Sequence, residues 1–390
     1  MKKYSLLVFA AFILAFAGCV KIENASEMDG FTGTNVQVGD NNGVSKNLKL
    51  LILNEGAFPG ASTLDVLDFS GKKYFADIFG QANPDEVDGM GNTGNDIEIA
   101  GGRIWLAMNA SNTVLGLNLL NFKLEVTVEL PSPRSLIADE NYLYVTSYGA
   151  AQYGSEVPVV GNIYRITLDN PKEVKVERVG YQPEGLAIEN GKIYVANSGG
   201  YNAVKENHVS VIDQATFTFE KEYLLPVSNL NMMRKSFGKL WISTYGESSW
   251  SQDGEGNWIQ SVSAPMSLVS MSQDGTSQVI EGVHADKISE CEGIIYAVGN
   301  DAEMTGGYDY CLYKVNAETL KVETIHFAGT DLARIAYPYC ILVNPLTSDI
   351  IIADASFTGD STLWCFTKDF KEKWSVTTGI GTGHLLLYQL

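Results

Sequence analysis

Glu184, Asn109, Asn197 and Asp354 are the residues of this chain whose types could hold a metal and activate water. Each borders a short apolar run, and carboxylate and amide oxygens gathered at one axis can bind calcium. The simpler reading is that they bond neighbouring backbone at strand ends. The four histidines, His208, His284, His326 and His384, are widely separated and read as strand or loop residues rather than ligands or bases. No Gly-x-Ser-x-Gly elbow and no His-Glu-x-x-His occurs. Asp253-Gly254-Glu255-Gly256-Asn257 alternates oxygen ligands as a calcium loop does, but it lacks the distal Glu and reads as a hairpin tip. Asp85, Glu86 and Asp88 form a second acidic loop with the same two readings.

The stronger signal is for binding. Phe58, Tyr148, Tyr181, Tyr201, Tyr245, Trp250, Trp258, Tyr308 and Phe357, with Asn109, Arg134 and Asn197, fall in or beside long segments rich in Gly, Ser and Asn. Exposed Tyr and Trp supply rigid contact area with polar tips, and amides supply adaptable hydrogen bonds. Some of these aromatic residues are expected to cap their own structural units. The others define a candidate ligand-binding surface.

A repeated phrase positions them. An apolar strand that turns polar at its end recurs seven times, with Leu51, Trp105, Tyr144, Tyr194, Trp241, Tyr296 and Ile351 at equivalent positions. The intervals run from 39 to 55 residues. Strand repeats of this length mark a β-propeller, each repeat being one blade. The expected fold is therefore all-β, a seven-bladed β-propeller over residues 47–390. In the fourth unit, Glu184–Ile188, Lys192–Asn197, His208–Asp213 and Phe219–Leu225 read as four successive strands, with Asn190-Gly191 a tight turn. Seven second strands need seven inner strands, and nothing suitable precedes Leu48. Gly383–Tyr388 is expected to pair with Leu50–Asn54 and close the ring, removing exposed edges. First-to-second turns such as Gly101-Gly102 are minimal, whereas second-to-third and inter-blade segments are long. Both kinds of long segment emerge on one face, which is the expected binding face.

Residues 1–18 read as a signal peptide, with Lys2 and Lys3 before an apolar stretch too short to span a bilayer. Phe16-Ala17-Gly18-Cys19 resembles a bacterial lipoprotein signal, with Cys19 as the lipidated residue. Residues 19–46 are polar and aperiodic, and read as a flexible tether. The membrane would be met through the lipid anchor only. The chain carries 27 basic and 46 acidic residues, a formal charge of −19, which disfavours nucleic acid. Cys291, Cys311, Cys340 and Cys365 match no zinc or redox spacing. They read either as two disulfides or as small buried apolar residues.

Asn54-Glu55-Gly56, Gly91–Ile97, Ser132-Pro133-Arg134, and Gln182–Leu186 followed by Lys192–Asn197 resemble the surface propeller lipoproteins of gut Bacteroidetes, which are related to YncE-like propellers. The resemblance spans roughly Leu48 to Tyr388. The BtuG proteins of this group capture cobalamin and pass it to a TonB-dependent transporter of the BtuB type. The resemblance implies an outer-membrane, surface-exposed, non-enzymatic lipoprotein whose ligand is cobalamin (vitamin B12) or a related corrinoid. It implies no resident cofactor and assigns no individual contact residue. Two other readings remain: an adhesin-like propeller binding glycan or peptide, and a calcium-dependent lactonase-like hydrolase.

Overall fold

A computed structural model describes residues 28, 30–38, 47–150, 158–252, 254–256, 258–302, 304 and 307–389. The expected signal peptide and Cys19 lie outside the described residues. Seven antiparallel sheets form the blades of a propeller, as the repeat predicts. The inner strands are, in blade order, Thr382–Gln389, Gly94–Ala100, Pro133–Ala138, Pro183–Glu189, Leu230–Ser236, Ala285–Cys291 and Pro338–Val343. Each packs on the next, and the seventh packs on the first, so the circle is complete.

Closure comes from the two ends of the chain. Thr382–Gln389 pairs antiparallel with Leu48–Asn54, Leu386 standing opposite Leu51. The other blades follow in chain order, the fifth with a hairpin inserted between its second and third strands. That hairpin pairs Glu247–Gln252 with Trp258–Ala264, and its tip falls at the alternating acidic motif, as expected.

The core explains the repeated phrase. A second strand lies in the middle of its blade and is covered by a neighbouring blade on either side, so both of its faces are apolar. Leu48–Asn54 is buried throughout. Its side chains alternate, Leu51 and Leu53 packing toward the second blade and Leu50 and Ile52 toward the seventh. Seven apolar clusters result, one at each boundary between blades. Trp105 and Trp241 are fully buried, each filling one such boundary.

The tether expectation needs correction within its described part. Thr34–Asn35 pairs with Lys73–Phe75 and adds an edge strand to the first blade. Val38 is buried in the cluster shared with the seventh blade, and Phe31 packs edge-on against Phe122 at 5.6 Å on the other side. The segment thus straps the first blade across both of its boundaries. Its few apolar residues were too sparse to show periodicity in the sequence.

Ile78–Ala82 forms a short α-helix and Asp331–Arg334 a 3-10 turn. No helix among the described residues is long and apolar enough to cross a membrane. Cys291, Cys311, Cys340 and Cys365 are all free thiols, and the first two and Cys365 are buried.

Candidate functional site at the channel mouth

Every inner strand breaks register with its neighbour once, close to the end where the inter-blade segments enter. The irregularities lie between Gly94 and Asp96, Pro133 and Leu136, Pro183 and Leu186, Leu230 and Met233, Ala285 and Lys287, Pro338 and Cys340, and Thr382 and His384. In each case the inner strand spends one more residue than its partner. A bulge of this kind re-aims a side chain, and bulges concentrate beside functional sites. The inserted stretches hold Asn95, Arg134, Glu184, Asn231, Asp286, Tyr339 and Gly383. The residue just before the inner strand has a positive φ in five blades: Thr93, Ser132, Gln182, Asn229 and Gly381. Left-handed backbone at non-glycine residues is costly, and it gathers where a site requires it.

These residues assemble an arc of aromatic rings and charges. The Arg134 guanidinium donates to Glu184, Nε to Oε2 at 3.1 Å and Nη2 to Oε1 at 2.9 Å, and Nη1 donates to Asn95 Oδ1 at 2.6 Å. It also lies 4.6 Å from the Tyr148 ring centroid, and the Tyr148 hydroxyl donates to Glu184. Burial opposes the charge on Arg134, but the Glu184 carboxylate outweighs it and holds the guanidinium firmly protonated. Tyr201 meets Tyr148 edge-on at 5.2 Å. On the other side Tyr245 is close enough to Arg134 and Glu184 to feel both charges, and burial raises its hydroxyl pKa.

Lys287 continues the arc, with its ammonium 5.6 Å from the Tyr245 ring and 5.0 Å from the Tyr339 ring. Asp286 pairs with it at 2.9 Å and keeps it protonated against the cost of burial. The Tyr339 hydroxyl hydrogen-bonds Glu55, whose carboxyl is raised by burial. Gly383 makes room for that carboxylate, because a Cβ there would stand 2.6 Å from Glu55 Oε1. Tyr339 stacks on Tyr337 at 5.7 Å and meets Phe357 edge-on at 5.2 Å.

Below the mouth, Asp96, Glu98, Arg234, Cys340 and His384 on the inner strands lie close enough to feel one another's charge. Burial raises Asp96 to about 6 and Glu98 to about 7, and lowers His384 to about 3. Asp96 Oδ2 accepts from the Leu136 amide at 2.8 Å and Oδ1 stands 3.6 Å from His384 Nδ1, so this layer ties the first three inner strands together.

The residues singled out from the sequence are only partly brought together. Arg134, Tyr148, Tyr201, Tyr245 and Phe357 belong to the arc. Phe58 and Tyr308 project from second-to-third loops of the same face and are 79% and 76% exposed, so they are available to a ligand. Tyr181 is half-buried at the end of its outer strand, where its amide donates to Glu206.

Asn197 and Asn109 depart from expectation. Asn197 is wholly buried and donates to the His208 carbonyl and to Ser210 Oγ, both at 3.0 Å, bracing its own blade. Asn109 donates to the Pro133 carbonyl at 3.1 Å and joins the second blade to the third. Trp250 stands opposite Gln260, and Trp258 opposite Gln252, on the fifth-blade hairpin; their side chains lie outside the described residues.

Of the four candidate calcium donors, Glu184 is held by Arg134 and Tyr148 and Asp354 Oδ1 accepts from the Ala336 and Tyr337 amides, whereas Asn197 Oδ1 is buried without a hydrogen-bond partner. Asn95, Asn231, Asp286, Lys287 and Tyr339 were missed in the sequence. Three proline dipeptides carried a usable signal: Pro133-Arg134, Pro183-Glu184 and Pro338-Tyr339 each open an inner strand. Proline suits a first strand position because it has no amide hydrogen to donate. A depression of about 640 Å³ lies between Ser111–Thr113, Glu129–Ser132 and Gly149-Ala150, beside the loop that carries Tyr148.

No family model and no curated protein matches the chain. Among solved structures it is similar to hydrazine synthase of Kuenenia stuttgartiensis, with a TM-score of 0.56 and 13% identity over 75% of this chain and 88% of that one. It is also similar to apo AztD from Citrobacter koseri, with a TM-score of 0.50 and 12% identity over 88% and 98% of the two chains. A second AztD structure from the same organism gives 0.50 and 11% over 87% and 97%. At these identities the likeness is one of fold, and the fold is a propeller.

Proposed function

We propose that this chain captures cobalamin or a related corrinoid at the channel mouth and hands it, chemically unchanged, to a TonB-dependent outer-membrane transporter of the BtuB type. In this reading Cys19 carries the lipid that holds the propeller at the cell surface, and no catalytic group is required. The observation that carries it is the internal pairing of the mouth's charges. Arg134 is matched by Glu184 and Lys287 by Asp286, while Tyr339 caps Glu55. What remains for a ligand is a wide rim of rings and polar tips with little free charge. Such a rim suits a large, flat ligand edged with neutral amides better than a metal ion or a small anion. The resemblance of the repeat motifs to the BtuG group supplies the ligand class.

Titration of the purified full-length chain with cyanocobalamin tests this reading. A saturable heat and a coloured complex that co-elutes with the protein are expected, both weakened by Tyr245→Ala. Absence of heat and colour overturns the corrinoid assignment, and binding of glycan or peptide instead would identify an adhesin-like propeller. Ester or lactone hydrolysis abolished by a chelator would place the protein among enzymes.

A further inference from the structure

The sixth blade holds a second group of polar side chains that the mouth does not use. Asp301 follows the second strand, Ile294–Asn300; Cys311 lies in the third, Tyr310–Asn316; and His326 ends the fourth, Val322–His326. Cys311 and His326 stand directly opposite each other in the ladder. Cys311 Sγ is 3.3 Å from His326 Nδ1 and 3.7 Å from Asp301 Oδ2, and the three ligand atoms all lie within 4.8 Å of one another. Donors on a tetrahedral zinc ion, with a Zn–S bond of about 2.3 Å and Zn–N or Zn–O bonds of about 2.0 Å, are roughly 3.3–3.6 Å apart. Two sides of the donor triangle, at 3.3 and 3.7 Å, already match that spacing, and the third lies within 4.8 Å.

We propose that Asp301, Cys311 and His326 form a binding site for a borderline divalent transition metal, with zinc best matched by the sulfur, nitrogen and oxygen donor set. Around them stands a supporting layer. Asp301 Oδ1, the oxygen turned away from the thiol, accepts from the Tyr313 hydroxyl and lies 3.1 Å from His284 Nδ1, which fixes the carboxylate. Asp309 Oδ2, 3.0 Å from His326 Nδ1, stands beside the position left for a fourth ligand. The thiol is buried while the His326 side chain is 53% exposed, so an ion can enter past the imidazole. On binding, the Cys311 S–H bond breaks, its proton leaves to solvent and the sulfur–metal bond forms. His326 Nδ1–H faces the Asp309 carboxylate in the free protein, so on binding that proton leaves Nδ1 and the ring takes the Nε2–H tautomer, freeing the Nδ1 lone pair for the metal. Cys291 and Cys365, by contrast, are buried within apolar clusters.

Cobalt(II) is the probe. The full-length chain, stripped with a chelator and titrated with cobalt, is expected to develop a thiolate-to-cobalt absorption in the near ultraviolet at a single equivalent, displaced by zinc. Cys311→Ser should abolish that band, and Cys291→Ser should leave it intact. His326→Ala and Asp301→Asn should each weaken cobalt binding at least about tenfold. A wild-type chain without the band, or a Cys311→Ser variant that retains it, overturns the proposal. Should Cys311→Ser fail to fold, the exposed His326 carries the test, and unchanged cobalt affinity in His326→Ala has the same consequence.

Discussion

Arg134 and Glu184 face each other across the boundary between the third and fourth blades, joined by two parallel hydrogen bonds of 3.1 and 2.9 Å. Their side chains are only 15% and 4% exposed. Apolar clusters also fill each boundary between neighbouring blades. At the mouth this ion pair sets the relative position of two inner strands, and Tyr148 locks it from above.

Glu184→Gln removes one partner and leaves the guanidinium buried and unmatched. Breaking a buried pair in this way costs about 3 kcal/mol. The urea midpoint should fall accordingly, and the double variant Arg134→Met, Glu184→Gln should recover part of the loss. A single variant as stable as the wild type would show that water already screens the pair.

Gly383→Ala separates binding from folding. The added methyl meets the end of the Glu55 side chain, which can swing aside, so the melting temperature should barely change. Glu55 then no longer meets Tyr339, and ligand capture should weaken about tenfold, or ~1.4 kcal/mol. Unchanged capture would place the ligand away from the first blade.

Glu98 should make stability fall with rising pH near neutrality. Its folded value of about 7 lies above the reference of 4.5, so the native state binds the proton more tightly than the unfolded chain does. The resulting stabilisation is complete below the unfolded value and is lost as pH rises through the folded one. His384 acts in the opposite sense, because its folded value of about 3 lies below its reference of 6.5, so the unfolded chain binds that proton and stability rises with pH through about 6.5. Comparison with Glu98→Gln isolates the Glu98 contribution: the wild type should lose stability relative to the variant between about pH 6.5 and about pH 8.5. Urea melts of both forms at the two pH values check this, and a difference between them that does not change with pH would contradict it.

The two ends of the chain should differ in importance. Deleting Thr382–Gln389 removes the inner strand of the first blade and opens the ring, so cooperative unfolding should disappear from the thermal melt. Phe31→Ala loses an edge-on ring contact with Phe122 and half-buried packing on the first boundary cluster, and its cost should be about 1–2 kcal/mol. A truncated chain that still melts sharply would mean that the ring tolerates a gap.

The ring was legible in the sequence because burial on both faces leaves a strong mark. Leu50 to Leu53 and Trp241 with Ile242 are apolar in succession, and only a strand sandwiched between two neighbours requires that. The closing strand followed by counting. The mouth was legible only in part. Tyr148, Tyr201, Tyr245 and Phe357 betrayed themselves as aromatic residues in long polar segments. Asp286, Lys287 and Tyr339 sit inside strands, where a charged or aromatic residue looks like ordinary alternation until a bulge reveals which way it turns. Asn109 and Asn197 misled because an amide at a strand end serves a neighbouring carbonyl as readily as a ligand. Cys311 and His326 are 15 residues apart, and only the hairpin between them makes them neighbours.

The extra residue in each inner strand separates two properties of the molecule. Beyond the bulge, pairing resumes and every side chain returns to the face its blade boundary needs. The inserted position is therefore free of the packing code that holds the ring closed. Seven such positions around one opening behave like letters in a fixed frame. Those that are paired, such as Arg134 with Glu184, change together, and the opening can acquire a new ligand while the blades stay in register.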